Sequence, residues 1–118
     1  MAELQKEIIS ATWRVIREER GQSVSSTFSE NVQLLIEGQQ DALKQLQELS
    51  ENITDDSSAV IVEDVRLQMQ ASVDALNQAD GNSDAGPLSN ALITEQAAYG
   101  GLLRLRAREF EVTQQQQQ

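Results

Sequence analysis

The chain of 118 residues has no cysteine and no histidine. Disulfides are thereby excluded, and so are the thiolate and imidazole ligands of most transition-metal sites. A di-metal carboxylate bundle is excluded too, because that design takes Glu-x-x-His motifs. Only four residues are aromatic, Trp13, Phe28, Tyr99 and Phe110. A core must therefore come from Leu, Ile, Val and Ala, which suits helix-on-helix packing. Cations are scarce, nine Lys and Arg against nineteen Asp and Glu, for a net charge of -10. A phosphate backbone needs a basic surface, so nucleic acid is not an expected partner. No apolar run approaches the ~20 residues of a membrane span, so this segment is not expected to insert. Glu3 and Glu7 stand where a signal peptide would be basic and then apolar.

What is present is helical periodicity. Apolar residues make up 39% of the chain, enough for the core of a single domain spanning residues 1–118. The first helix is predicted from about Glu3 to Arg20. It carries two adjoining stripes, Leu4, Ile8, Ala11 and Val15, then Ile9, Trp13 and Ile16. Together they exceed the apolar width of a surface helix, so this helix should touch more than one neighbour. Gly21 is a C-terminal stop, and the serines after it are candidate N-caps.

The second helix is predicted from Thr27 to Ile53. Phe28, Val32, Leu35, Gln39, Ala42, Leu46, Leu49 and Ile53 alternate steps of four and three. That seam is the mark of long helices lying side by side. A turn, "NITDDSS", precedes a third helix from about Ser57 to Ala79. Ile61, Val62, Val65, Met69, Val73 and Leu76 share one face, while Val60 and Leu67 stand on the back. "DGNSDAGP" reads as a loop, with Pro87 placed to open helix four. Leu88, Leu92, Tyr99, Leu102, Leu103, Leu105, Phe110 and Val112 continue the apolar pattern. Arg106 and Glu109 interrupt it near the end, where cover should thin or a partner begin. A glutamine run, Gln114–Gln118, follows with no stop signal, and the first helix opens without a capping residue. A piece of a longer helical protein is the expectation.

Few residues invite chemistry. Glu95 lies within the stripe of helix four, where it would serve as an acid or base only in a cleft with a partner. The expected alternative is an arginine partner or an exit to solvent. Gln39 is the polar member of its seam and could fix register, or spend its amide on a backbone or water. The Asp80 loop fails as a calcium loop, because its twelfth position is Ala91 rather than glutamate. Arg104, Arg106 and Arg108 alternate and so point apart on a helix.

Two stretches, "LQKEIISATWRVIRE" (Leu4 to Glu18) and "EQAAYGGLLRLRAREFEV" (Glu95 to Val112), resemble segments of large bacterial proteins. Those proteins carry membrane segments near the N-terminus and a long helical region after them. The resemblance covers about a quarter of the chain and carries no catalytic motif. It implies a helical segment of a membrane-anchored parent.

The expectation is an all-α antiparallel bundle of about four helices with coiled-coil-like packing. It needs no cofactor or metal and has no catalytic residues. Its function would be interaction or spacing, through a protein partner or self-association. Candidate surface residues are Ile9, Trp13, Ile16, Val60, Leu67, Arg106 and Phe110. The alternative is a ligand-sensing bundle of a receptor, which would need a pocket between helices.

Overall fold

The computed structural model describes residues 1–19, 21 and 23–116, with side chains as far as Glu111. The expected helix end at Arg20, the side chain of Val112 and the side chains of the glutamine run lie outside the described residues. Among those described there are four helices and no strand: α1 (Ala2–Glu18), α2 (Phe28–Ser50), α3 (Asp56–Asn82) and α4 (Pro87–Gln116). α1 packs on α2 and α4, and α3 packs on α2 and α4. Short connections make sequential neighbours antiparallel, so the four form an up-down-up-down bundle. It measures 59 × 20 × 17 Å.

Each helix buries a seam with steps of three and four. In α2 the buried seam is Phe28, Val32, Leu35, Gln39, Ala42 and Leu46, with Leu49 and Ile53 half-buried beyond it. In α3 it includes Val62, Val65, Met69, Ser72, Val73, Leu76 and Ala79. Both faces match the periodicity of the sequence. In the other two helices polar residues share the seam with the expected apolar ones. α1 buries Gln5, Ile8, Thr12 and Val15. α4 buries Leu88, Ala91, Glu95, Ala98, Leu102 and Leu105, and leaves Leu103 and Phe110 exposed. Alanine fills two of the α4 positions because the small residue lets α3 and α1 approach closely.

Helix ends follow local hydrogen bonding. Asp55 caps α3, its Oδ2 accepting from the Ser58 N–H at 2.9 Å. At the other end α3 continues a turn past the expected loop boundary. Ser83 closes it in the left-handed region (φ 48°, ψ 48°), its N–H reaching the carbonyls of Ala79 and Asp80. The serines before α2 do not cap it: Thr27 is the N-cap and makes no side-chain cap bond. Ser25 instead folds back on Glu19, donating its N–H at 2.9 Å. Pro87 opens α4 as expected.

Candidate functional site

The apolar core divides into two clusters. One holds Ile8, Ala42, Leu46, Val65, Met69, Ala98 and Leu102 among others. The other gathers Val15, Phe28, Leu35, Leu76, Leu88 and Ala91. Between them each helix contributes a buried polar residue, Thr12 from α1, Gln39 from α2, Ser72 from α3 and Glu95 from α4. Each sits on its seam between a member of one cluster and a member of the other. Gln5 adds a fifth buried polar group one turn below Ile8.

These groups are bonded across the helices. Gln5 and Gln39 exchange amide bonds, Gln5 Nε2 donating to Gln39 Oε1 at 3.0 Å and Gln39 Nε2 to Gln5 Oε1 at 2.9 Å. Gln5 Nε2 also donates to the Glu95 carbonyl at 3.1 Å. The Thr12 hydroxyl donates to Glu95 Oε2 at 2.9 Å. Ser72 Oγ and Thr94 Oγ1 lie 2.7 Å apart, linking α3 to α4. Buried polar groups are costly unless bonded to one another, and this belt is largely self-satisfied.

Glu95 is the exception. It is 0% exposed, and its Oε1 has no hydrogen-bond partner among the described protein atoms. Burial pushes its carboxyl up to about 8, and the Thr12 hydroxyl opposes this only in part. The expected arginine partner or route to solvent is absent: burial and Thr12 alone act on Glu95. At neutral pH the carboxyl is therefore mostly protonated, because a bare charge in an apolar interior costs more than a proton.

Five grooves among the described residues have walls that leave Glu95 out. One groove, about 380 Å³, lies between α2 and α3 with Lys44, Gln47, Glu63 and Arg66 over a floor of Leu46 and Val62. A second, about 190 Å³, has Met1, Ala2, Leu105, Arg106 and Glu109 on its walls. Glu95 lines neither.

The candidate surface residues fall in separate places. Trp13 is 50% exposed, Val60 70%, Leu67 53% and Phe110 64%. Ile9 and Ile16 are half-buried and Arg106 is exposed. Ile16 packs against the second apolar cluster. Trp13 and Ile9 belong to the side of α1 that turns toward α4, whereas Val60 and Leu67 form a ridge on the outside of α3. Sequence reading missed exposed Ile93, which is 64% exposed, and the buried residues Gln5 and Thr12. The 3-4-3 spacing of Gln5, Ile8, Thr12 and Val15 was the available signal for the last two.

Charge is also segregated. From Phe28 to Asn82 eleven carboxylates face two cations, Lys44 and Arg66, so α2, α3 and the turn that joins them hold nine of the ten net negative charges. α1 and α4 each balance three acids with three bases. Among the described residues no helix is long and apolar enough to cross a membrane. No known family, no curated protein and no solved structure matches the chain.

Proposed function

We propose that this chain is a non-catalytic helical interaction module that works through its outer faces. The observation that carries the reading is the exposure of large apolar side chains, Trp13, Val60, Leu67 and Ile93, on a bundle whose seams are already filled. Trp13 and Ile93 lie on the α1–α4 side and Val60 and Leu67 on the outer ridge of α3, and exposed apolar groups on a charged surface mark contact sites. The ionisable group with unusual chemistry, Glu95, is sealed from solvent, which supports a structural rather than a catalytic role. The belt residues spend their hydrogen bonds on each other, so a ligand-sensing chamber is the weaker reading. In line with the sequence resemblance, the module would belong to a larger, membrane-anchored bacterial protein.

The test is a photo-crosslinking residue placed at Trp13, Val60 or Leu67 in the parent protein in its own cells, with exposed Gln40 as the control. Discrete adducts at the first three positions and none at Gln40 are expected. Absence of adducts at all three removes the reading.

A further inference from the structure

The α1–α4 side of the bundle differs from the rest of the surface. On a wheel of 100° per residue, α1 presents Glu3, Lys6, Ser10, Trp13 and Arg17 outward, with Ile9 on the slope toward α4. α4 presents Ile93, Gln96, Gly100, Leu103 and Ala107. All but the half-buried Ile9 and Gly100 are exposed. Lys6 and Arg17 outnumber the single carboxylate Glu3 in this set, Glu3 lying a turn from Lys6 at the start of α1, and the only carboxylate of α4 before Glu109 is the buried Glu95. Two parallel ridges with a trough between them can take a third helix. Gly100 leaves room on the α4 side, since a Cβ added there would meet nothing within 4 Å.

The outer ridge of α3 has the complementary chemistry. Val60, Leu67 and Ala71 lie along it, flanked by Asp56, Glu63 and Asp74. Glu63 and Asp74 are exposed, and Glu63 shares its charge with Arg66 on the same helix. The spacing agrees as well. Lys6 and Arg17 are eleven residues apart, as are Glu63 and Asp74. Eleven residues return to nearly the same side of a helix and span about 16 Å. Each charged pair brackets apolar residues, Ile9 and Trp13 in one case and Leu67 in the other.

We propose that the α1–α4 trough of one copy receives the α3 ridge of a second copy, Lys6 and Arg17 meeting Glu63 and Asp74 around Trp13 and Leu67. The inference rests on the interaction reading above and names its partner. Pairing like faces is disfavoured. Two troughs would set Lys6 and Arg17 against themselves, and two ridges would oppose carboxylates. Trough on ridge is a heterologous contact, so each copy keeps one face open and assembly continues beyond two.

Sedimentation velocity at about 0.15 M salt, where long-range repulsion is screened beyond roughly 8 Å, tests this from about 10 µM to about 1 mM protein. The average mass should climb with concentration without levelling at a dimer. Lys6→Glu/Arg17→Glu and Glu63→Lys/Asp74→Lys should each be monomeric while keeping the wild-type helical signal. Mixing the two should restore association, because each supplies the face the other has lost. A monomeric wild type across the range overturns the proposal. So does persistent association of Glu63→Lys/Asp74→Lys, which would mean that troughs pair with each other. Crosslinks from Trp13 to an unrelated protein, with a monomeric wild type, would leave the interaction reading standing and end the self-assembly.

Discussion

The hydroxyl of Thr12 reaches from α1 to the carboxyl of Glu95 on α4, donating to Oε2 at 2.9 Å, and it is the only side-chain hydrogen bond that this buried acid makes among the described residues. The acid is held in its neutral form by its surroundings, and this has a signature in pH. The folded carboxyl titrates near 8 and the unfolded one near its ordinary 4.5. Below the lower value both states are protonated and no penalty arises. Between the two, the unfolded chain loses its proton first, so stability falls by up to about 1.4 kcal/mol per pH unit. Above the higher value the loss levels off. Glu95→Gln should abolish this component. Denaturant melts of the two proteins should nearly coincide at pH 4.5 and separate by roughly 3–5 kcal/mol at pH 9, the variant being the more stable. Parallel pH profiles would show that Glu95 meets solvent.

Gln5 and Gln39 should behave as a unit. Replacing Gln39 with Leu strands the Gln5 amide in the core, at a cost of about 1–3 kcal/mol. Replacing both with Leu leaves fewer polar atoms without partners. The double variant should be less destabilised than the sum of the singles by about 1 kcal/mol or more in a double-mutant cycle. Simple additivity would contradict the reciprocal amide pair.

Gly100 and Gly101 are adjacent and should respond in opposite directions. A Cβ on Gly100 meets open space, whereas one on Gly101 falls well inside van der Waals contact with Val65 Cγ2 of α3. Val65 is buried and branched at its β-carbon, so it cannot turn aside cheaply. Gly100→Ala should stabilise by up to about 1 kcal/mol through helix propensity. Gly101→Ala should destabilise by about 1–3 kcal/mol. Melts of the two single variants, measured on dilute monomer, decide it.

Asp55 should hold the start of α3. Its carboxylate accepts the Ser58 N–H, which keeps it below the ordinary carboxylate range, and Arg108 adds to this. Stability from this group is present above the ordinary carboxylate range and fades as pH falls through the lowered folded value. Asp55→Ala should lower the melting temperature at pH 7, and Asp55→Ser should recover part of the loss, because a serine hydroxyl can take the same N–H. Equal melting temperatures for the two variants would remove the cap.

The sequence displayed α2 and α3 well, because their seams are apolar nearly throughout and hydropathy alone finds them. α1 and α4 were read with the correct extent to within a few residues and with most of their apolar stripes inward, Ile8, Val15, Leu88, Leu102 and Leu105 being buried and Leu4, Ala11, Ile16 and Tyr99 packed against the core, but their polar members were read only in part. Their true seams contain Gln5, Thr12 and Glu95, and apolar periodicity counts such positions against burial. It therefore gave weight to Trp13 and Leu103, which are exposed. Glu95 illustrates the limit. An acid in a stripe is ordinarily rescued by a cation or by water. Only the positions of Thr12 and Gln5, opposite it on another helix, show that this one is not. Spacing within one helix holds no information on which polar group of a distant helix stands across from it. The segregation of charge, by contrast, was fully present in the sequence, but it gains meaning only when α1 and α4 are seen side by side.

α1 is the shortest of the four helices, and the connection from Glu19 to Thr27 is the longest of the three. It also covers the side of Glu95 that would otherwise open to water, through Thr12 and Gln5. Seating α1 and taking up a proton are therefore one event between pH 4.5 and 8. When α1 lifts away, Glu95 is hydrated and releases its proton; when α1 returns, a proton must come with it. Raising the pH from 4.5 to 8 thus bears on the seating of α1 in particular, and within that window each release of α1 that hydrates Glu95 is recorded in the solvent as a proton released.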